Sequence, residues 1–473
     1  MTSRSVAAVV LAAGAGSRFG GGKLLASLEG HPVLQHVLDR VAEAGVDDVV
    51  VVLGDDAGAV EEVIAWRRER RVRNPDPGRG LASSVRVGFE ALGDGPSAAL
   101  IVLGDQPRVP IEAMRAMLDA PVDPTRPITV PRYPQDGGRN PVLVERAGFG
   151  LIAQATGDRG LGPVIAANAD RVREVPTDIQ GGNPDVDTRA DLVALLETGW
   201  AARVRANAEQ VDRFREVPDG TDFYAPVTGL FRADPTRTDE PALDVLLGLV
   251  RPGERWLDVG AGAGRYALPI ARALARTGGE VIAVDVSASM LDALREVAAE
   301  HDIDNVRAVE TRWPPADLAP FGADVALVAH VGYDIEAIGP FVAAMESRAR
   351  RLCVAMLMER QPSSIADVCW PPVHGEPRVS LPALPEFVEL LRARAREPSI
   401  ERVEREPRRF ASRAELEGFL RRQLWTEEGS VPDRRFQAAL DELIDVDAEG
   451  RAGLRDQRPL PIGIVTWAPG GSA

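Results

Sequence analysis

Val6 to Ala13 reads VAAVVLAA, and the runs DDVVVVLGD (Asp47–Asp55) and SAALIVLGD (Ser97–Asp105) repeat the same type, an unbroken apolar stretch ending on polar residues. Apolar runs without alternation suit strands buried on both faces. Between them, PVLQHVLDRVAEAG (Pro32–Gly45) and AGAVEEVIAWRRE (Ala57–Glu69) space their apolar residues at helical intervals. Strand and helix therefore alternate, which predicts crossover connections and a mostly parallel sheet covered on both faces. DVDTRADLVALLE (Asp185–Glu197) closes the series as an amphipathic helix entered through a threonine and aspartates.

From Gly199 to Asp222 the chain is arginine-rich and helical without strands, as a connecting helix would be. Alternation restarts at ERWLDVGAG, with strand patterns at Trp256–Val259, Glu280–Val286, Asn305–Val309, Ala323–Ala329 and Arg351–Met358. After Pro362 come a proline-rich stretch, helical patterns at Leu384–Ala395 and Ala414–Leu424, and two late β-like runs, IERVEREPRRF and LPIGIVTWAP. The expected fold class is α/β, with two doubly wound, mostly parallel-sheet domains of Rossmann-like type. Their expected bounds are 1–199, a connecting helix or linker at 200–222, and 223–473 with a C-terminal helical elaboration.

Composition agrees with two such domains. The 473 residues are too many for one ordinary core, and 45% hydrophobic content is that of a globular chain. A net charge of −16 excludes a general binder of nucleic acid or of an anionic membrane, because both need clustered positive charge. Small molecules are the expected partners. No apolar run approaches the ~18 residues that span a bilayer. A glycine-rich loop stands where a signal peptide would carry its cleavage site, and Cys353 and Cys369 lack metal-ligand spacing, so a cytoplasmic protein with reduced thiols is expected.

Candidate chemistry begins directly after the first strand. LAAGAGSRFGGGK (Leu11–Lys23) holds five glycines and the only lysine among 55 basic residues. Glycines free the backbone to lie against a ligand, and exposed amides become anion donors. One ammonium in a chain that otherwise uses arginine suits a point charge for phosphate. The spacing is not that of a Walker A loop.

This stretch is similar to the signature LAAGxxxRxGxxK of the MobA-like nucleotidyltransferases. Three further segments agree in order: GLASSVRVGFEAL (Gly80–Leu92), VLGDQPRVP (Val102–Pro110) and NPDVDT (Asn183–Thr188). RNPVLVERAGFGLIAQATGDRGLGPVI, between the last two, resembles the corresponding stretch of molybdenum cofactor cytidylyltransferases. The resemblance covers about residues 5 to 197. It implies that Leu11, Ala12, Ala13, Gly14 and Gly16 cradle a triphosphate, that Arg18 and Lys23 neutralise developing phosphate charge, and that Gly80, Ser83 and Ser84 approach base or ribose. Asp105, ending its strand at LGD, and Asp185 would hold Mg²⁺, with Asn183 and Asp187 as alternatives for the second ligand. Asp187, beside Thr188, also suits a helix cap. LAAG resembles the cytidylyl members of the family, which implies CTP as the nucleotide, a phosphorylated acceptor such as molybdopterin, and pyrophosphate as the leaving group.

The second domain opens on LDVGAGAGRY (Leu257–Tyr266), a strand leading into a glycine turn and a helix, and the next strand ends on Asp285. That arrangement serves a ligand with ribose hydroxyls, a dinucleotide included. Asp258 ahead of Gly260, Gly262 and Gly264, with Asp285 to Leu291 reading DVSASML, resembles class I methyltransferases. The resemblance covers about Phe223 to Pro469 and implies S-adenosylmethionine as methyl donor, with Met290 packing on adenine. His330, in AHVGYD where the fourth strand ends, is a candidate general base for an acceptor the sequence does not identify. A histidine on a loop is more often a plain hydrogen-bonding residue. Tyr333 and Asp334 stand beside it. Trp256 and Trp370 read as core or rim aromatics, and the arginines from Arg392 to Arg413 as a solvated face first and an anion contact second.

The implied protein is a bifunctional transferase. Alternatives are a nucleotidyltransferase for a different triphosphate and acceptor, or a ligand-sensing protein with one inactive domain.

Overall fold

The structure, a computed structural model, describes residues 4–134, 138–152, 154–178, 183–217, 228, 231–232, 234–455, 457 and 459–470. Two compact units divide the chain, Met1–Leu195 and Leu196–Ala473. The expected linker at 200–222 is helical as far as it is regular: one helix, Arg189–Phe214, runs through Gly199 without interruption, and 218–222 lie outside the described residues. A glycine inside a helix costs only about 1 kcal/mol, so it does not by itself break one.

In the first unit the strands are β1 (Val6–Ala12), β2 (Asp48–Leu53), β3 (Arg70–Arg73), β4 (Ala98–Leu103), β5 (Ile128–Arg132), β6 (Val142–Glu145) and β7 (Val172–Pro176). They form one sheet in the order β3-β2-β1-β4-β6-β5-β7. Only β6 runs against its neighbours. The unbroken apolar runs follow from burial on both sides. Ala8, Val10 and Ala12 of β1 enter one core with Val49 and Val51, whereas Ala7, Val9 and Leu11 enter a second core with Val50 and Val52. Successive side chains of a strand point to opposite faces, so two cores demand apolar residues at every position.

The second helix is shorter than its sequence pattern. It ends at Val63. Gln35 accepts the N–H of Ala65 at 2.9 Å, and the chain turns to place Arg70–Arg73 against β2. Partners from elsewhere in the domain outweigh the local helical spacing.

The second unit holds β8 (Arg255–Val259), β9 (Glu280–Asp285), β10 (Val306–Glu310), β11 (Ala323–Ala329), β12 (Ala349–Met358), β13 (Ser399–Val403) and β14 (Ile462–Trp467). The order is β10-β9-β8-β11-β12-β14-β13, parallel except for β14. The IERVEREPRRF run is strand only to Val403. A separate core of Trp370, Phe410, Leu420, Phe436 and Leu440 knits together the helices of the C-terminal elaboration. Trp256 and Trp370 are both fully buried, as core aromatics. Among the described residues no helix is long and apolar enough to cross a membrane.

Candidate active sites

In each sheet the chain winds outward from the first strand and then returns to its other side. The reversal falls between β1 and β4 in the first unit and between β8 and β11 in the second. Open α/β sheets bind ligands at the carboxyl ends of strands flanking such a reversal.

The loop after β1 is exposed at Gly14, Ala15, Ser17, Arg18 and Gly20–Gly22, while Phe19 is buried under the Arg189 guanidinium, 5.3 Å from the ring centre. Phe19, Gly20 and Gly21 donate their amides to Gly16 and Ser17 carbonyls inside the loop. Among the described residues no acceptor reaches the amides of residues 14–18. Exposed donors of this kind suit an anion. Gly16 has φ +58°, and a Cβ there would stand 3.2 Å from Cγ of Lys23. The glycine lets the lysine stem pass.

Lys23 is buried, and its Nζ donates to Asp105 and, at 3.3 Å, to Asp187. Arg18 bonds the other oxygen of Asp187 at 2.8 Å. Burial alone would lower the Lys23 pKa, but Asp105 and then Asp187 outweigh it and raise the pKa. Asp185 accepts from Gln106 Nε2 at 2.5 Å, and Asn183 donates to the Gln106 side-chain oxygen at 2.7 Å. Burial raises the Asp185 pKa, against the Gln106 bond, and the charges of Asp105 and Asp187 raise it further. Capping of the following helix falls to Thr188 and Asp191, whose Oδ2 accepts the Thr188 amide at 2.7 Å and the Asp187 amide at 3.1 Å. The Asp187 side chain is left to Lys23 and Arg18.

Asp105, Asp185 and Asp187 thus gather beside one ammonium. Among the described residues no three His, Cys, Asp or Glu side chains are grouped tightly enough to hold a metal by themselves. The donor chemistry nonetheless fits a magnesium ion, a hard cation that takes one or two carboxylates and completes its shell with water and phosphate. A divalent charge would also relieve the mutual repulsion that raises Asp185.

Gly80 begins the helix Leu81–Leu92. Ser83 and Ser84 on its first turn are buried, and Asn74 donates to their hydroxyls at 2.8 and 3.0 Å. Ser83 also donates to the Gly80 carbonyl. The two serines hold Asn74 in place at the end of β3. Sequence reasoning missed Asn74 and Gln106, since a lone amide in a loop carries no pattern.

In the second unit Gly260 and Ala261 both donate to the Val284 carbonyl, tying the loop after β8 to β9. Gly260 has φ +77°, and a Cβ there would come within 2.5 Å of Val331. Asp285 accepts the Gly262 amide on one oxygen and the Ser287 amide on the other, at 2.8 and 2.9 Å. Each oxygen keeps lone-pair capacity for a ribose hydroxyl. Gly264 lies against Leu268, and Met290 is buried against Ala263 and Ala293. Asp258 is buried with Oδ1 unpartnered, and burial, then the charge of Asp285, push its pKa up to about 7. An acid beside the cofactor loop, orphaned and near neutrality, fits a site that carries a cationic group.

His330 follows β11 with φ +57°, and its amide donates to the Met356 carbonyl at 2.8 Å. Its Nδ1 is buried without a partner. Burial, then Arg405 and Arg265, depress its pKa to about 4, with Glu240 opposing. The ring lies 6.2 Å from that of Tyr266, whose hydroxyl donates to Glu240. Tyr333 is structural, its buried hydroxyl accepting the Met358 amide, and Asp334 is exposed. The arginines of 392–413 are mostly paired: Arg394 and Arg396 with Glu346, Arg402 with Glu359, Arg409 with Asp445 and Arg413 with Glu417. They form a braced surface more than a freely solvated one.

Comparison with known proteins adds to this geometry. Residues 8–172 match the MobA-like NTP transferase domain, and residues 257–351 match a methyltransferase domain. "Bifunctional protein GlmU" of Sphingopyxis alaskensis is 32% identical over 43% of this chain and 54% of its own. The chain spans about half or less of the length of the curated relatives it matches. Among solved structures, Rv0371c of Mycobacterium tuberculosis is 34% identical over 42% of this chain and all of that chain, with a TM-score of 0.38. The YcgJ protein of Bacillus subtilis is 15% identical over 48% of this chain and 97% of its own, with a TM-score of 0.34. The chain therefore joins a MobA-like nucleotidyltransferase domain, matched at residues 8–172, to an S-adenosylmethionine-type methyltransferase domain, matched at residues 257–351.

Proposed function

We propose that the first domain transfers CMP from CTP to a phosphorylated small molecule such as molybdopterin, releasing pyrophosphate, and that the second transfers a methyl group from S-adenosylmethionine to a small acceptor. The observation that carries the first half is the bonding of the chain's only lysine to Asp105 and Asp187 at the mouth of the glycine loop. The amides of residues 14–18 and the loop from Leu11 to Gly16 take the triphosphate, with Gly80, Ser83 and Ser84 walling the nucleoside side. Arg18 and Lys23 face the charge that collects on the leaving pyrophosphate as a phosphate oxygen of the acceptor attacks the α-phosphorus and the bond to the β-phosphate oxygen breaks.

Asp105 and Asp185 are the ligands assigned to Mg²⁺, which when bound would draw the phosphate oxygens together and withdraw charge from them. Asn183 and Gln106 orient Asp185, and Asp187 holds Arg18 and Lys23. Catalysis then rests on positioning and electrostatics, and no side chain need act as a covalent nucleophile.

In the second domain Gly260, Gly262 and Gly264 let the methyl donor lie against the loop, Asp285 accepts from its ribose, and Asp258 faces its cationic region through the loop. Met290 supports the adenine side from beneath Ala263. These substrates, together with two buried free thiols, suit a cytoplasmic enzyme.

Pyrophosphate release from CTP, GTP and ATP with molybdopterin tests the first half. CTP should lead, and no release from any of the three would end the assignment. Similarity to proteins called GlmU favours a second reading, in which the same residues serve another triphosphate and another phosphorylated acceptor. Release with another triphosphate and another phosphorylated acceptor, but not with molybdopterin, would select it. Calorimetry with S-adenosylmethionine tests the second half, where Asp285→Ala should weaken binding, and equal affinities would remove the ribose role.

A further inference from the structure

Every parallel strand of the second sheet delivers its carboxyl end to one edge, and that edge is divided. The loop after β8 and Asp285 after β9 occupy the cofactor side, so an acceptor must approach from the side of β11, β12 and β13. The register carries three chain segments there together: Met358 and Val403 both pair with Ile462, and the amide of His330 bonds Met356. His330 leaves β11 at this level, and Arg405 leaves β13 two residues past its end.

Glu240 accepts from Arg237 Nε and Arg265 Nη2, each at 2.7 Å, and from the Tyr266 hydroxyl at 2.9 Å. Arg405 is exposed, and among the described residues no carboxylate pairs with it, as with Arg392 and Arg408, whereas the other five arginines of 392–413 are paired. Its charge reaches both His330 and Arg408. Arg405 and Arg265 therefore both bring positive charge to His330 against one carboxylate, Glu240, which already accepts from two arginines and a tyrosine, in a protein of net charge −16. His330 adds a buried, unpartnered Nδ1 and a left-handed backbone, a strain that persists where a site over-determines it.

We infer that the methyl acceptor carries an oxyanion, a carboxylate or a phosphate, seated between Arg405 and His330 with Arg265 behind them. The inference rests on the methyltransferase assignment and names its substrate class. An anion here compensates the unpaired guanidinium by charge-assisted bonding and fixes the acceptor on the donor's open side. It also opposes the part of the His330 pKa depression that Arg405 and Arg265 add to the larger effect of burial, so an acceptor lacking the oxyanion finds a weaker base beside it.

The test uses the full chain saturated with S-adenosylhomocysteine, with the histidine rings observed by NMR. There are five histidines, and His330→Gln assigns the relevant signal. Inorganic phosphate and acetate are titrated separately. A saturable shift of the His330 signal with phosphate, with acetate, or with both supports the site and tells the phosphate from the carboxylate source. Arg405→Gln should weaken that binding by about tenfold or more, the loss expected for a hydrogen bond to a charged group. A His330 signal that ignores both anions overturns the inference, as does an Arg405→Gln protein that binds them like the parent. Calorimetry with S-adenosylhomocysteine separates the two levels: cofactor bound without anion response removes this site alone, and no cofactor binding removes the methyltransferase assignment together with it.

Discussion

Lys23 reaches from the end of the glycine loop after β1 to Asp105, just past the end of β4, so the ammonium bridges the two strands where the first sheet reverses direction. Among the described residues no other cation is buried among these carboxylates, since Arg18 touches Asp187 from an exposed position. Lys23→Met should therefore lower nucleotidyl transfer by about a hundredfold or more, the scale of losing one preorganised charge partner of a transition state. Lys23→Arg should not restore it, because the stem passes Gly16 closely and a planar fork does not fit the place of a point charge. Pyrophosphate release under saturating triphosphate measures both, and near-parental turnover in Lys23→Arg would deny the packing argument.

Metal dependence separates the three aspartates. Losing an outer-shell partner of a metal ligand typically weakens metal affinity about 10- to 100-fold, so losing a ligand should do at least as much. Asp105→Asn and Asp185→Asn should each raise the Mg²⁺ concentration needed for half-maximal turnover beyond tenfold, and Gln106→Ala, which frees Asp185, by about tenfold. Asp187→Asn should leave the metal requirement near that of the parent while weakening triphosphate binding. Should Asp187→Asn show the metal defect and Asp185→Asn none, the second ligand is Asp187.

Much of this site could be read from the chain because its parts are local. The glycine loop and Asp105 each follow an apolar run, the lone lysine closes that loop, and a parallel sheet buried on both faces writes such runs plainly. What escaped was set by partners distant in sequence. Asn74 is recognisable only through Ser83 and Ser84, Gln106 only through Asn183 and Asp185, and the helix after Ala57 stops because Gln35 takes the Ala65 amide. The same holds for the paired arginines of 392–413, whose acids lie in other elements, and for Glu240, which reads as an ordinary surface residue until Arg237, Arg265 and Tyr266 close on it.

Gly260, at the turn after β8, has little room for a side chain. Its φ is +77°, and the nearest obstacle to a Cβ is Val331 at 2.5 Å, a stiff β-branched neighbour joined directly to His330. Gly260→Ala should destabilise the methyltransferase domain by about 1–3 kcal/mol, the cost of a strained backbone position. It should also weaken S-adenosylmethionine binding, since the loop tied to Val284 must shift. Thermal unfolding and calorimetry measure the two effects, and an unchanged melting curve would contradict the contact with Val331.

Asp258 gives the second domain a pH dependence whose sign follows from its burial. In the unfolded chain the carboxyl titrates near its ordinary value of 3.8, and in the fold burial, then Asp285, move it up to about 7. Between these values the folded state holds a proton that the unfolded state has released. The contribution to stability is therefore complete below pH about 4, falls as pH rises towards 7, and is lost above it. Asp258→Asn keeps the shape and removes the titration, so the difference in stability between parent and variant should change across that window by up to about 4 kcal/mol, the parent losing as pH rises. Six of the seven tryptophans lie in Leu196–Ala473, so urea denaturation followed by tryptophan fluorescence reports mainly on this unit. Taking the difference at pH 4.5, 6 and 8 cancels the other titrating groups, and a difference that stays flat would mean that the Asp258 carboxyl is ionised throughout and has a partner in the fold.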